Sequence, residues 1–196
     1  MADNGQIINQ MLAENNGFIT SGQVTDAGIP RRCLSEMIDS GSIARVDRGV
    51  YALPEVWEDE LFILQHRFSK GVYSHETALY LHAMTDRTPH RYTMTFPHGY
   101  NAGNAKKHNI TVKLVLPKFY ELGITDAVSP SDHRLKAYDI ERTLCDVVKN
   151  NSDIQIVNQA MKTYAASKNK DISKLVGYAE QLRVKARILT YMEVLL

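Results

Sequence analysis

The stretch GFITSGQVTDAGIPRRCLSEMIDSGSIARVDRGVYAL, residues 17–53, decides how this chain is read. Phe18-Ile19 begins a short extended piece. Thr20 or Ser21 then caps a helix whose apolar face is Val24 and Ala27. Gly28 stands where a left-handed residue closes a helix. Pro30 opens the next one, at a position where the N–H it lacks would be unpaired anyway. In that helix Leu34, Met37 and Ile38 face inward, and Arg31, Arg32, Ser35 and Asp39 face outward. Gly41 ends it. Ser42–Val46 and Val50–Leu53 alternate as a hairpin around Asp47-Arg48-Gly49, a good turn sequence. Two short helices, a tight turn and a hairpin tipped by arginine form the layout of a winged helix-turn-helix, a DNA-binding device.

Working outward, Ile7, Ile8, Met11 and Leu12 predict a preceding helix over Asp3–Asn15. Pro54 marks a boundary, which places a first domain at residues 1–54 and a second at 55–196. A helix is expected over Glu55–Ser69, and Ser74 caps another carrying Ala78, Leu79, Leu81 and Met84. Tyr92–Phe96 and Ile110–Leu116 read as strands separated by the polar loop PHGYNAGNAKKH, with shorter strands at Gly123–Val128 and Leu135–Tyr138. From Asp139 onward the pattern is helical: Asp139–Lys149, Ile154–Ser167, Ile172–Leu182 and Val184–Leu195. The expected class is α+β, a winged helix followed by a mixed domain with a small sheet and a helical C-terminal part.

Composition narrows the function classes. With 44% hydrophobic and 23% charged residues in 196, the chain is an ordinary globular protein. The N-terminus lacks the basic and apolar regions of a signal peptide, and no apolar run is long enough to cross a bilayer, so a cytoplasmic location is expected. Cys33 and Cys145 are too far apart in sequence to suggest a disulfide framework or a zinc spacing. Net charge is only +1, but its distribution is uneven. Residues 1–53 hold four basic side chains, Arg31, Arg32, Arg45 and Arg48, against six acids. All four lie on the second helix or the hairpin, which predicts a focused basic patch.

The DNA-facing candidates follow from this placement. Arg31 and Arg32 begin the helix that reaches base edges, where the arginine fork donates two bonds to guanine. Ser35 lies one turn on, Arg48 reaches phosphate or the minor groove, and Arg45 and Tyr51 are set for backbone contacts. Ser21 is a candidate phosphate contact, with simple helix capping as the competing explanation. A second motif, YDIERTLCDVV, spans residues 138–148. Asp139 caps its helix, Glu141 complements the dipole, and Arg142 has Asp146 at i,i+4 and Asp139 at i,i+3. Ile140, Leu144, Val147 and Val148 form the buried stripe. Capping and ion pairing explain these acids without a metal. The seven histidines are scattered; His75 and His82 share a face without a third ligand. No GxSxG, Walker or GxGxxG motif is present, so neither catalysis nor a cofactor is expected. Lys106-Lys107-His108 is a small basic loop patch.

The N-terminal stretch, with its phrase IARVDRGVYAL, resembles the winged helix of the antitoxins of AbiE-type abortive-infection systems, also known as transcriptional regulators of viral defence. YSHETALYLHAMTDRTP and DIERTLCDVV are similar to that family's C-terminal region. The resemblance implies a bifunctional antitoxin of a type IV toxin–antitoxin pair. Its winged helix would repress the operon by binding inverted repeats of double-stranded DNA in its own promoter. Its C-terminal domain would counter a nucleotidyltransferase toxin without a stable complex. It assigns DNA binding to Arg31, Arg32, Arg45 and Arg48, and an antitoxin motif to Asp139, Glu141, Arg142 and Asp146. Two other readings stand beside it: a stand-alone ligand-responsive winged-helix repressor, which requires an apolar pocket with convergent polar groups, and a metal enzyme built on the acids of 139–146.

Overall fold

A computed structural model describes residues 3–195 of the chain. It is a mixed α+β protein that divides into two compact units. The first unit runs to Ser69 and includes Val128–Arg134; the second holds Lys70–Ala127 and the residues from Leu135 on.

In the first unit, α1 (Asn4–Glu14) is capped by the Asp3 carboxylate and leads to β1 (Phe18–Thr20). Thr20, not Ser21, caps α2 (Ser21–Asp26): its hydroxyl accepts from the Gln23 N–H, and the Gln23 side chain reaches back to the Thr20 N–H. This reciprocal pair satisfies two end-of-helix donors at once. Next come α3 (Arg32–Asp39), β2 (Ala44–Asp47) and β3 (Val50–Ala52). The strands form an antiparallel sheet in the order β1-β3-β2, with Ile19 opposite Tyr51 and Arg45 opposite Tyr51 on the other side. A six-residue helix has no stability alone. Here Ile8, Leu12, Val24, Ile29, Leu34 and Ile43 close into one buried cluster that holds the three helices together.

The helix expected from Glu55 starts later, as α4 (Glu60–Arg67), because Asp59 is its cap and accepts from the Phe62 N–H. Phe62 and Ile63 pack on Phe18, Val50 and Ala52, which is why this unit continues past Pro54. The Asp59 carboxylate also accepts from the Ser129 hydroxyl and lies 2.7 Å from His133 Nδ1. The His133 ring packs edge-on against Phe18 and contacts Phe62. His133 Nε2 faces the Asn15 carbonyl oxygen at 3.3 Å, and the serine bonds the aspartate rather than the histidine ring, so the three residues are not a nucleophilic triad.

Except for the strand-end residues Val128 and Arg134, a five-stranded sheet in the order β6-β5-β4-β8-β7 belongs to the second unit. Its strands are β4 (Val72–Tyr73), β5 (Thr93–Pro97), β6 (Thr111–Val115), β7 (Ile124–Val128) and β8 (Arg134–Tyr138). β4 runs antiparallel to β5 and parallel to β8, and β5 runs parallel to β6. Three short elements were not expected from sequence: β4, α6 (Gly103–Lys107) within the polar loop, and α7 (Pro117–Tyr120). α5 (His75–Leu81) stops before Met84, because Ala83 turns to a φ of 53°. The C-terminal helices are α8 (Ile140–Lys149), α9 (Ile154–Ala166), α10 (Ile172–Gln181) and α11 (Lys185–Leu195). α8 lies at their centre. All eight residues Glu141–Val148 are buried, not only the apolar stripe. Leu144, Val147 and Val148 meet Val157, Met161, Leu175 and Ile188 in the largest apolar cluster among the described residues. Each such side chain contributes about 1.5–3 kcal/mol by leaving water. Among the described residues, no helix is long and apolar enough to cross a membrane.

Candidate functional site

Two sets of side chains carry the candidate chemistry, one in each unit. In the first unit, Pro30 and the αR conformation of Arg31 start α3, so Arg31 and Arg32 stand at its N-terminal end, both exposed. Arg31 Nε donates to the Thr25 hydroxyl at 3.0 Å, which orients the guanidinium from the preceding helix. Ser35 is exposed one turn further, while Cys33 and Leu34 point into the core. Arg45 and Arg48 are exposed on the β2–β3 hairpin. Arg45 Nε donates to the Asp47 carbonyl at 3.2 Å, and the Arg48 N–H donates to the Asp47 carboxylate at 2.6 Å. Tyr51 is half-buried, its ring packed on the helical core.

The hairpin turn is tied to two other elements. The Ser21 N–H donates to the Gly49 carbonyl at 2.9 Å. Gly49 has a φ of 77°, and a Cβ there would lie 2.9 Å from Ser21 Oγ, so the close approach needs glycine. Ser21 is therefore brought to the hairpin tip beside Arg48. Arg67, from α4, forms an ion pair with Asp47, its Nε at 2.7 Å from Oδ2. His66 is next to it; burial lowers its pKa and the Asp47 charge opposes the shift. Sequence reading missed Arg67, since its partner lies twenty positions away. The α3 set and the hairpin set are two exposed groups of arginines, and in each one guanidinium is oriented by a hydrogen bond, Arg31 by Thr25 and Arg45 by the Asp47 carbonyl.

In the second unit, the residues of the 138–148 motif are brought together as a buried polar knot. The Asp139 carboxylate accepts from the Arg142 N–H at 2.8 Å and caps α8. Arg142 is 1% exposed. Its Nε donates to Asp146 Oδ2 at 3.1 Å, and Nη1 donates to the Phe119 and Leu122 carbonyls at 2.6 and 2.8 Å. Its guanidinium lies over the Tyr138 ring, 4.2 Å from the centroid. Burial raises the Asp146 pKa, and Arg142 opposes that shift. The expected i,i+3 pairing of Arg142 with Asp139 takes the form of this backbone cap. The Asp139 carboxylate pairs instead with Lys174 of α10, at 3.0 Å, and accepts from the Tyr178 hydroxyl. Glu141 shares Lys174 at 3.3 Å and accepts from the Tyr164 hydroxyl. Burial works against the Lys174 ammonium, but Asp139 and Glu141 together raise its pKa.

Among the described residues, no group of three or more potential ligands forms a metal site. His75 and His82 have different partners: Asn150 and Ser74 for one, the Tyr138 carbonyl for the other. Both cysteines are free and buried, and burial pushes the Cys145 thiol up to about 12. Lys106 and Lys107 are exposed on α6.

Residues 6–54 match the family model described as "Transcriptional regulator, AbiEi antitoxin". The resemblance read in the sequence is thus matched over the first helices and hairpin. No curated protein matches the chain in sequence. Among solved structures, the RV2827C protein from Mycobacterium tuberculosis is similar, with a TM-score of 0.53 at 13% identity. The similarity covers 98% of this chain and 82% of that one, and at this identity it concerns the fold.

Proposed function

We propose that the first unit is a winged helix that binds double-stranded DNA at inverted repeats in its own promoter and represses the operon. α3 is the recognition helix, with Arg31, Arg32 and Ser35 toward base edges. Arg45, Arg48 and Tyr51 of the hairpin, with Ser21, meet the backbone. The observation that supports this most is the confinement of all four basic side chains of residues 1–53 to exposed positions on α3 and the hairpin. The family match over 6–54 has the same import. Half or more of protein–DNA hydrogen bonds go to phosphate and sugar, and a rigid arginine-tipped hairpin beside a helix N-terminus suits that division of labour.

The second unit, in this reading, neutralises a nucleotidyltransferase toxin without a stable complex. The domain division at residues 1–54 and 55–196 then separates the two activities, with α4 serving the first unit structurally. The buried Asp139, Glu141, Arg142 and Asp146 act as scaffold for the antitoxin surface.

Replacing Arg31, Arg32, Arg45 and Arg48 together by alanine tests the division of labour in cells carrying the toxin and a promoter reporter. The expected result is a derepressed promoter with rescue from the toxin intact. Repression that survives would contradict the DNA assignment. Loss of rescue by a folded variant would mean that the first unit takes part in neutralisation.

A further inference from the structure

The sheet of the second unit has an unexpected face. Alternation along β5 puts Met94 and Phe96 on one side and Thr93 and Thr95 on the other. The register sets Thr93 opposite Thr111 and Thr95 opposite Lys113. Thr93 and Thr95 are buried, and a buried hydroxyl or backbone N–H is costly without a partner. The partners come from the chain that follows β4. Thr95 Oγ1 donates to Ser74 Oγ at 2.9 Å, and the Thr93 N–H donates to Thr77 Oγ1 at 2.8 Å. His75 Nδ1 lies 3.0 Å from the same Ser74 oxygen. Asn150, at the end of α8, places Nδ2 2.9 Å from His75 Nε2 and 2.9 Å from the Asp146 carbonyl. An amide donor there requires Nε2 to accept, so the ring is neutral, with its proton on Nδ1. Burial lowers the His75 pKa to about 3, and the Lys113 and Arg142 charges add to the shift. His75 also holds a φ of 54°, a region that few non-glycine residues adopt and that clusters at functional sites.

This fixed polar layer borders two cavities. One, of about 340 Å3, is lined by Thr93, Thr111, Arg91 and Glu76; the other, of about 200 Å3, by Thr95, Arg142, Asp146 and Lys149. Both include His75, Lys113 and Asn150. Four cations, Arg91, Lys113, Arg142 and Lys149, face two acids, Glu76 and Asp146, an excess of two positive charges. Asp146 is taken by Arg142, whereas Lys113 and Lys149 have no ion pair among the described residues. A carboxylate ligand would balance one of the two excess charges. A phosphate monoester, at about −1.5 to −2, balances both. The larger cavity falls in the range of about 300–1,000 Å3 typical of small-molecule sites.

We propose that these adjoining cavities bind a phosphate group, carried on a monoester or free, with Lys113 and Lys149 as its charge partners and Asn150 and the threonine hydroxyls around it. All the residues belong to the second unit, and the proposal is independent of the DNA reading.

Calorimetric titration of the full chain tests it. AMP, GMP, CMP and UMP, inorganic phosphate, and adenosine as the phosphate-free control are added at matched ionic strength. At least one monophosphate should bind saturably at one site, and adenosine should not. Lys113→Gln and Lys149→Gln should each weaken that binding about tenfold or more, the loss of one charge-assisted contact. Arg48→Ala, in the first unit, should leave it unchanged. Inorganic phosphate binding as tightly as the nucleotide would identify free phosphate as the source; weaker binding would identify the nucleoside ester. Lys149 is exposed, so its variant tests the site with the fold intact, and melting temperatures verify both variants. No saturable binding at millimolar ligand, binding unchanged in both lysine variants, or binding abolished by Arg48→Ala would overturn the proposal.

Discussion

Arg142 shows most plainly what a single residue does here. Its guanidinium is buried, and one carboxylate and two carbonyls accept from it while a tyrosine ring supports it. Breaking a buried pair leaves an uncompensated charge, so Arg142→Ala should cost about 3–5 kcal/mol. Toxin rescue should fall only in proportion to folded protein. Denaturant unfolding and rescue on the same variant measure both, and a fully stable, inactive Arg142→Ala would show that the group acts on the toxin or its substrate instead. His75 makes a second prediction at this scale. Its pKa is about 3 folded against 6.5 unfolded. The unfolded chain therefore binds more protons below pH 6.5, and stability is full above that value and falls as pH drops toward 3. The slope from this group approaches about 1.4 kcal/mol per pH unit. Asparagine tolerates positive φ, so His75→Asn should unfold with a visibly flatter dependence between pH 6.5 and 5. An unchanged slope in urea titrations would contradict the neutral assignment.

At the level of elements, the hairpin depends on contacts that its own sequence does not contain. Asp47 at the turn is held by Arg67 of α4, and Ser21 of α2 bonds Gly49. Arg67→Ala should raise amide exchange at residues 47–50 and weaken DNA binding although Arg67 is not a proposed DNA contact; unchanged exchange there would show that the turn stands alone. Gly123 is the corresponding point near α8. Its φ is 81°, and a Cβ would lie 2.9 Å from the Arg142 Cβ, so Gly123→Ala should cost more than the ~1 kcal/mol of backbone strain alone, read from the unfolding midpoint. The elements that sequence made legible were those with local signals: the Thr20 to Asp39 helices with their cap, glycine and proline, the Asp47-Arg48-Gly49 turn, and the long C-terminal helices. β4 was hidden because two residues carry no periodicity, α6 because a single turn inside a polar loop has no apolar stripe, and α7 because four residues after a strand are too few to show helical spacing. The centrality of α8 was hidden too. Its polar residues read as caps and ion pairs within their own helix, whereas Lys174, Tyr164 and Tyr178 from other helices also partner them in the interior.

For the whole molecule, the arginines of α3 and the hairpin were legible as a charge pattern, since six acids dilute the segment but no other cation competes. The polar cavity of the second unit was not, because Thr95, Lys113, His75 and Asn150 meet only through sheet register and helix packing. The central claim is that the first unit reads DNA with these arginines in two distinct ways. Binding to a fragment of the protein's own promoter, titrated by fluorescence anisotropy at several salt concentrations, tests it most directly. Arg31→Ala or Arg32→Ala should cost roughly 1–3 kcal/mol on the promoter site and little on unrelated DNA. Arg48→Ala should weaken both alike and reduce the salt slope by about one. Wild-type affinity in all three variants, at every salt concentration, would contradict the account.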